Sequence, residues 1–411
     1  MAHILLVGKA FSGIKSYLLE HGHTYTLLQD VRATKFPTRR FKHRVVTDFS
    51  DESSMLAAVD RINAKQHIEA TFVTYENYVL PNTIVAQHLG LPSMEREAAE
   101  ACTDKEYMRQ LFAKAPTKIS PGFAVVDSEE SLMKFADSHD FPLILKPANL
   151  AKSLLVTKNS DLGELIANYR KAVELLGTVY SKYAPGRTPK LLVEEYLDGP
   201  VHSVDVFVDA KGEPHVLENV VDYQTGYDIG YEDNFHYSRL LPSALDPKKI
   251  QEIRDVVAAG CRALGMKSSP AHVEIIYTRD GARIVEIGAR NGGYRDRMHM
   301  LANGIDITAN ALALALDRPL DITPKRNDSV GVYELFPREK GSFVGLAHEA
   351  ELRSLPSLHY LGIKAKPGQV VGKSGDGYKA CAVAVFHNSD AEQFARDIGL
   401  LNSNVSVITE R

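Results

Sequence analysis

Short apolar runs alternate with amphipathic stretches along the first hundred residues. The runs HILLVG, TYTLL, RVVTDF and ATFVTY are rich in the β-branched and aromatic residues that are typical of strands. The stretches between them, such as Met55 to Ile62, have apolar residues at helical spacing. This alternation predicts a parallel, doubly wound sheet, which binds ligands beyond the carboxyl ends of its strands. Glu76, in the loop after ATFVTY, is therefore either a contact for a substrate amine or an acid in a solvated loop.

Two later runs, AHVEIIY and RIVEIGAR, predict a β-hairpin that carries one glutamate on each strand. The sequence RDG joins them, and a three-residue loop with glycine last suits a type I turn followed by a left-handed position. With residue 278 opposite residue 282, Glu274 faces Glu286 directly, beside His272. Facing carboxylates need a cation between them, and oxygen ligands favour Mg²⁺ or Mn²⁺ over zinc. A solvated edge hairpin is the alternative.

A glycine-rich turn that contains an arginine follows the second strand, with the sequence GARNGG. Arg290 supplies a planar fork of donors for carboxylate or phosphate oxygens, and paired glycines let main-chain N–H groups approach an anion. Together with the facing acids, this turn predicts an anion-transfer site. Arg295 and Arg297, just beyond the turn, either anchor a substrate carboxylate or face solvent.

Two lysines and an acidic strand precede the hairpin in the chain. Asp104 can cap a helix that begins near Lys105, and the run FPLILKPAN carries Lys146 at its polar end. Two lysines on different elements can clamp a polyphosphate. The run LLVEEYLDGP predicts a buried strand that ends in acids, and Glu194 with the main chain around Tyr196 can hold a purine. An ordinary strand followed by a turn is the alternative.

Length and composition exclude several classes of protein. The chain has 411 residues, enough for two or three domains, and a net charge of −4 without a long Lys/Arg block. Neither nucleic acid nor a membrane is therefore expected as a partner. The three cysteines are widely spaced and form no CxxC pair, which fits a reducing compartment, so we expect a cytoplasmic enzyme.

The early turn GKAFSG is expected to be a plain strand-to-helix turn. A phosphate loop requires lysine directly after its second glycine, and Ile14 stands there. Any phosphate-binding parts must therefore lie elsewhere in the chain.

The order of these motifs resembles the ATP-grasp superfamily, in the branch of carboxylate-amine ligases that includes bacterial L-amino acid ligases. The resemblance rests on DKEYMR, LILKP, VEEYLDGP, HVEI and VEIGARNGG and covers nearly the whole chain. It implies an α/β fold, with α+β character in the grasp domain. A doubly wound domain is expected at 1–103, the ATP-grasp domain at 104–325 and a small α/β domain at 326–411.

The resemblance also implies a role for each motif residue. Glu274 and Glu286 would hold one or two Mg²⁺ or Mn²⁺ ions, and Arg290 would be the catalytic residue that stabilises the transferred phosphoryl group. The expected ATP-binding residues are Lys105, Lys146, Ser153, Glu194, Glu195, Tyr196 and Leu197. The expected substrate-binding residues are Glu76, His236, Asn291, Gly292 and Gly293.

Two departures from the family pattern stand out. The loop after the strand lysine, residues 148–155, contains no glycine, so its closure over the phosphates would depend on Lys152 and Ser153. Gly288 stands where many relatives have an asparagine that binds the second metal ion.

The implied activity is ATP-dependent ligation of a small carboxylate to an amine through an acyl phosphate, with amino acids as the expected substrates. Alternatives are another ATP-grasp reaction (carboxylation or natural-product condensation) and a nucleotide-binding module without catalysis. Whether the chain forms a homodimer stays open.

The segment QTGYDIGYEDNFHY has three tyrosines and little periodicity, which predicts a long irregular loop over the substrate and an aromatic pocket. His236, inside it, would deprotonate the amine or have a binding or structural role.

Overall fold

The structure is a computed structural model that describes residues 1–33, 41–150, 154–183, 187–231 and 233–410. Lys152 and Ser153, the residues on which loop closure was expected to depend, lie outside the described residues. Within the described ranges the strands assemble into four sheets.

The amino-terminal strands form a parallel sheet, as the alternation of strands and helices predicts. Its strands are β1 (His3–Val7), β2 (Thr24–Asp30), β3 (Arg44–Thr47) and β4 (Ala70–Phe72). They lie in the order β3-β2-β1-β4, and each pair is parallel. The helices of this region are α1 (Ser12–Glu20), α2 (Glu52–Lys65), α3 (Val79–His88) and α4 (Arg96–Ala101).

Strand β1 is apolar throughout because both of its faces are covered. Ile4 and Leu6 pack on one side in a cluster that includes residues of α1, whereas Leu5 and Val7 pack on the other side with residues of α2. Helices on both faces make this sheet doubly wound. A 3₁₀-helix, Glu76–Tyr78, follows the carboxyl end of β4 and places Glu76 at the edge where such sheets bind ligands.

A small antiparallel sheet follows, in the order β5-β8-β6-β7 for strands β5 (Phe123–Val126), β6 (Leu143–Pro147), β7 (Thr157–Asn159) and β8 (Leu191–Glu195). Its helices are α5 (Lys105–Phe112), α6 (Glu129–Ala136) and α7 (Leu162–Tyr183). Asp104 caps α5 by accepting hydrogen bonds from the backbone N–H groups of Glu106 and Tyr107, which confirms the predicted start of that helix.

The largest sheet carries the acidic hairpin at one edge. Its strands are β9 (Val201–Val208), β10 (Pro214–Val216), β11 (Val221–Thr225), β12 (His236–Leu241), β13 (Ser269–Thr278), β14 (Gly281–Gly288), β15 (Ser329–Leu335), β17 (Leu358–Ile363) and β19 (Ala382–Asn388). They follow the order β14-β13-β9-β11-β12-β15-β19-β17, with β10 beside β9. The accompanying helices are α8 (Gly226–Ile229), α9 (Pro247–Ala263), α10 (Arg295–Ala302) and α11 (Ile307–Ala315).

The carboxy-terminal part adds a second, smaller sheet. It has the order β18-β16-β20, with β16 (Gly341–Leu346), β18 (Val370–Val371) and β20 (Val407–Glu410), and is accompanied by α12 (Glu349–Ser354) and α13 (Ala391–Asn404). The 3₁₀-helices Val31–Ala33 and Ser374–Asp376 complete the described elements. Because β15, β17 and β19 belong to the same sheet as the acidic hairpin, that sheet continues across residue 325. The division into three domains stays a prediction.

The segment expected to be a long irregular loop is largely regular, so that prediction was wrong. Residues Val221–Thr225 and His236–Leu241 pair as antiparallel strands, with the short helix Gly226–Ile229 between them. The error arose because a bulge near Thr225 interrupts the alternation of apolar and polar positions.

Among the described helices, none combines the length and the apolar character needed to cross a bilayer.

Candidate active site

Glu274 and Glu286 are direct cross-strand partners in β13 and β14, as predicted, but the loop and the strand register that bring them opposite each other differ from the prediction. The loop between the strands has two residues, with Thr278 opposite Gly281 rather than residue 282. Between the pairs Ile275–Ile284 and Glu274–Glu286, Val285 is an extra residue without a partner in β13. This bulge shifts the register back by one, so the loop prediction was wrong and the pairing of the acids is confirmed.

The two facing acids offer oxygen atoms to an ion on one face of the sheet. Their side chains are 31% and 32% exposed, and His272 Nε2 lies 4.0 Å from Glu274 Oε1. Among the described residues no three His, Cys, Asp or Glu side chains converge as a ready metal site. A pair of carboxylates with room for water and phosphate oxygens fits Mg²⁺ or Mn²⁺.

Lys105 lies against one of these acids. Its Nζ is 3.0 Å from Glu286 Oε2 and donates a hydrogen bond of 3.3 Å to the carbonyl oxygen of Leu150. Burial alone would raise the pKa of Glu286, but the charge of Lys105 and its hydrogen bond hold that pKa below its usual value. The helix lysine and the proposed metal ligand therefore belong to one site.

A second cationic cluster surrounds Glu194, at the end of β8. Lys146 Nζ lies 2.6 Å from Glu194 Oε2, and Arg109 donates two hydrogen bonds to the same carboxylate, at 3.0 and 3.2 Å. Burial lowers the pKa of Lys146 to about 8, although the charge of Glu194 opposes that shift. Both cations engage the carboxylate that was predicted to hold a purine, so its role toward nucleotide stays a prediction.

Arg109, which the sequence reasoning missed, connects this cluster to the acidic hairpin of β13 and β14. It is fully buried, and its Nη2 also donates to the carbonyl oxygen of Val285, the bulge residue, at 2.8 Å. Since Arg109 stands in the apolar stripe of α5, between the buried Met108 and Phe112, a charged residue at a core position was the available signal.

The remaining residues of the acidic strand differ in what they contact. Glu195 accepts hydrogen bonds from Lys118 Nζ at 2.8 Å and from the backbone N–H of Gly122 at 2.8 Å, so its carboxylate joins β8 to the segment before β5. The Tyr196 ring lies 3.9 Å from Lys158 Nζ, and Leu197 follows as a half-buried residue. The contact of Tyr196 and Leu197 with adenine stays a prediction.

Arg290 meets an acid from the amino-terminal sheet. Its Nε lies 2.9 Å from Glu76 Oε2, and its Nη1 donates to the carbonyl oxygen of Asn291 at 2.9 Å. Burial alone would lower the pKa of Arg290, but the charges of Glu76, Glu286 and Glu274 raise it. The alternative of a solvated loop acid at position 76 was therefore wrong.

The glycine turn after Arg290 lies close to its neighbours. A Cβ atom on Gly292 would lie 2.5 Å from His272 Nδ1 and 2.7 Å from Arg295 Cγ, so only glycine fits there. A Cβ on Gly293 would meet no atom within 4 Å, and the side-chain oxygen of Asn291 is buried without a hydrogen-bond donor among the described residues. Anion binding by this turn stays a prediction.

Arg295 does not reach a substrate or solvent, so both sequence interpretations of it were wrong. It is fully buried, with Nε 3.3 Å from Asp205 Oδ2 and Nη2 2.8 Å from Ser203 Oγ. Asp205 is also bound by His272 at 2.9 Å and by His299 at 3.1 Å. This network underlies the acidic hairpin, since His272 of β13 belongs to the network. Arg297 is exposed, with its guanidinium 4.8 Å from the centre of the Tyr360 ring.

His236 packs against Tyr223, with ring centroids 4.0 Å apart. Burial lowers its pKa to about 4, although the charge of Glu274 opposes that shift, so the ring is neutral near pH 7. Tyr231, Phe235 and Tyr237 pack on one another and on Phe336 as a small core, so these three rings do not line an open pocket. Tyr227 is 54% exposed, and its contact with substrate stays a prediction.

A small cavity of about 20 Å³ lies where the amino-terminal sheet meets the acidic hairpin. Its lining includes Glu76, Lys105, Arg187 and Glu286. Arg187, which no sequence pattern indicated, donates to the carbonyl oxygen of Thr103. Cations and carboxylates from three parts of the chain therefore surround one point.

Part of the chain matches a known protein family. Residues 139–296 match the ATP-grasp domain family. This match shows that the chain contains an ATP-grasp domain. The matched residues include Lys146, the acidic strand, the acidic hairpin and Arg290, so the ATP-grasp match covers most of the motif residues on which the resemblance depends.

Two proteins illustrate what this chain is similar to in sequence. The protein y4rH of Sinorhizobium fredii, which is uncharacterised, is 22% identical over 331 residues, covering 80% of this chain and 66% of that one. The alanine–anticapsin ligase of Bacillus subtilis is 23% identical over 255 residues, covering 59% of this chain and 52% of the ligase. These alignments thus span less than two thirds of the curated relatives' own lengths.

The solved structure of the L-amino acid ligase from Bacillus licheniformis has a similar fold. It superposes with a TM-score of 0.80 at 18% identity, covering 100% of this chain and 99% of that one. At that identity the match establishes the ATP-grasp fold.

Proposed function

We propose that this protein is an ATP-dependent carboxylate-amine ligase that joins an amino acid to a second amino acid or another amine. The observation that carries the proposal is the convergence of the facing pair Glu274–Glu286 with Lys105 and Arg290, because it brings cations and carboxylate oxygens around one site. The fold similarity to an L-amino acid ligase and the sequence similarity to alanine–anticapsin ligase support the choice of substrate class.

The first step activates the carboxylate. An oxygen of the substrate carboxylate attacks the γ-phosphorus of ATP, the bond from that phosphorus to the β–γ bridging oxygen breaks, and ADP leaves with the electron pair. Negative charge spreads over the phosphoryl oxygens as the bond breaks. Arg290, Lys105 and Lys146 would meet that charge, and a preorganised cation stabilises it without reorganising at the moment of reaction.

The second step forms the amide. The neutral amine nitrogen attacks the acyl carbon, the carbon–oxygen bond to phosphate breaks, and phosphate leaves with the electron pair of that bond while the proton from the nitrogen passes to water. Glu76, placed beside Arg290, would attract the incoming ammonium, and the main chain of Asn291, Gly292 and Gly293 would support the departing phosphate. His236 would bind substrate as a neutral ring, since a group with a pKa of about 4 is a weak base for an amine near pH 7.

A divalent ion fits the donor set at the hairpin. Glu274 and Glu286 would hold Mg²⁺ or Mn²⁺, which would neutralise the ATP phosphates and polarise the transferred group. The end of β8, with Glu194, Glu195, Tyr196 and Leu197, would hold the adenine. Lys105 and Lys146 would contact the phosphates, with Ser153 from the loop outside the described residues.

The proposal is tested by a screen of paired amino acids with MgATP. We expect release of ADP and phosphate that depends on both partners, together with a dipeptide or amide that mass spectrometry identifies. Turnover that requires bicarbonate would indicate carboxylation instead. Tight ATP binding without ADP release for any pair would indicate a nucleotide-binding module.

A further inference from the structure

Glu76 and Arg290 form an ion pair between segments that follow strands of two different sheets. Glu76 begins the 3₁₀-helix that follows β4, and Arg290 follows β14. Their side chains are 17% and 28% exposed, and Glu76 Oε2 lies 2.9 Å from Arg290 Nε. An ion pair with so little exposure is weakly screened by solvent, so it can hold both side chains in place.

The ion pair with Glu76 leaves one nitrogen of the Arg290 guanidinium, Nη2, available to donate hydrogen bonds to a ligand. Arg290 Nη1 donates to the carbonyl oxygen of Asn291, and Nε faces Glu76. Among the described residues, none accepts a hydrogen bond of good geometry from Nη2. Since Arg presents its donors in a rigid fork, fixing the Nε edge fixes the direction of Nη2 as well.

Gly288 provides the space that Glu76 occupies. It stands two residues after Glu286 in β14, so a side chain there would point to the same face as Glu286. A Cβ atom on Gly288 would lie 2.6 Å from Glu76 Oε2 and 3.4 Å from its carboxyl carbon. Any side chain at position 288 would therefore displace the Glu76 carboxylate.

The Glu76 carboxylate has few other supports. Both of its oxygens are buried, and neither accepts a hydrogen bond of acceptable geometry from a described residue. Burial raises the pKa of Glu76, and the charge of Arg290 opposes that shift most strongly. The ionised form therefore depends on Arg290, and the orientation of Arg290 depends on Glu76.

We propose that Glu76 is a positioning residue for phosphoryl transfer: it orients Arg290 toward the transferred group, and the absence of a side chain at Gly288 makes this contact possible. The inference rests on the proposed function, and it extends Glu76 beyond contact with the amine. The amino-terminal sheet would then contribute directly to ATP chemistry as well as to substrate binding.

The test is a double-mutant cycle between positions 76 and 288. Glu76→Gln keeps the size and removes the charge, Glu76→Ala removes the carboxylate, and Gly288→Ala adds the Cβ that would displace it. We expect Glu76→Gln and Gly288→Ala each to lower kcat at least about tenfold, with KM for ATP within about twofold of wild type. In the Glu76→Ala background, Gly288→Ala should cost less than about twofold more, because the steric conflict is gone.

A binding measurement separates this inference from the proposed function. Fluoroaluminate bound with MgADP imitates the transferred phosphoryl group. Calorimetry should show that fluoroaluminate increases the affinity of wild type for MgADP, and that it increases the affinity of Glu76→Gln much less. MgADP alone should bind to both proteins with equal affinity. The inference would be overturned if Glu76→Gln behaved as wild type. It would also be overturned if the losses in kcat caused by the changes at positions 76 and 288 simply multiplied in the double variant.

The proposed function would be overturned instead if the wild-type protein did not bind MgADP at all. Thermal unfolding of each variant identifies any that fold poorly, and the isosteric Glu76→Gln then decides.

Discussion

Lys105 Nζ lies 3.0 Å from Glu286 Oε2, so a lysine at the start of α5 neutralises one of the two facing carboxylates of the acidic hairpin. A divalent ion bound to Glu286 would compete with the Lys105 ammonium for the same carboxylate oxygen. The displaced ammonium could then bind a phosphate of the nucleotide. Nucleotide and metal are therefore expected to bind with positive coupling, since phosphate offers Lys105 another partner.

Removing the charge of Glu286 should abolish turnover. Glu286→Gln keeps the shape of the side chain and eliminates one of the two carboxylates proposed to hold the ion, so we expect a loss of at least about 100-fold in kcat. Titration of Mn²⁺ in the presence of ADP, followed by electron paramagnetic resonance, should show weaker binding. Glu213→Gln, which alters an acid paired with Arg262 in a half-exposed ion pair, is the matched control and should leave both measurements unchanged. Near-normal turnover by Glu286→Gln would contradict the metal assignment.

Arg290 is expected to act on the chemical step. Arg290→Ala should lower kcat by about 100-fold or more and leave the affinity for MgADP within about threefold, because its charge would be used mainly as the phosphoryl group transfers. Steady-state kinetics and calorimetry measure the two effects, with Arg262→Ala as the control. Equal losses in kcat and nucleotide affinity would show that Arg290 contributes to ground-state binding instead.

Nucleotide affinity should depend on pH through Lys146. Burial lowers its pKa to about 8, although Glu194 opposes that shift, so its ammonium loses the proton as the pH rises through 8. Bound phosphate would favour the protonated form. We therefore expect MgADP affinity to be flat below pH 7 and to fall by up to about tenfold per pH unit above 8. Calorimetry across this range measures the effect.

The control for this pH dependence is Lys146→Met. That variant should bind MgADP more weakly at pH 7 and lose the decline above pH 8. A decline that persists in Lys146→Met would assign the titration to another group.

Asp205 is expected to contribute to stability rather than chemistry. Asp205→Ala leaves Arg295 buried without its counter-charge, so we expect the free energy of unfolding to fall by about 3–5 kcal/mol. Asp60→Ala, which breaks an exposed pair with His88, should cost less than about 1 kcal/mol. Calorimetric unfolding at pH 7 compares them, and a similar melting temperature for both variants would contradict this role.

The network around Asp205 also determines in which direction pH changes the free energy of unfolding. Burial alone would raise the pKa of Asp205, but hydrogen bonds from His272 and His299 and the charge of Arg295 hold it well below its usual value. Since the folded-state pKa lies below the unfolded value of about 3.9, the ionised form stabilises the protein fully above about pH 4 and progressively less as the pH falls. Replacing Asp205 should therefore remove part of the acid sensitivity of unfolding below that pH.

Much of the fold follows from local pattern. The strands around Leu5 and Leu145 and the cap at Asp104 were predicted because apolar runs, alternation and capping residues act between near neighbours in the chain. The segment 224–237 was mispredicted because a bulge and a four-residue helix disrupt the periodicity on which such reasoning depends.

The sequence by itself determined only part of the geometry of the facing acids Glu274 and Glu286. Their identity, their strands and their shared face were all predictable, although the bulge at Val285 that restores the register was not, since the carbonyl oxygen of that residue is satisfied by Arg109 from a distant helix. Only the tertiary structure decided that Arg295 is buried and that Glu76 occupies the space beside Gly288. Such contacts join residues more than 80 positions apart, and their formation depends on how sheets pack rather than on the spacing of residues along the chain.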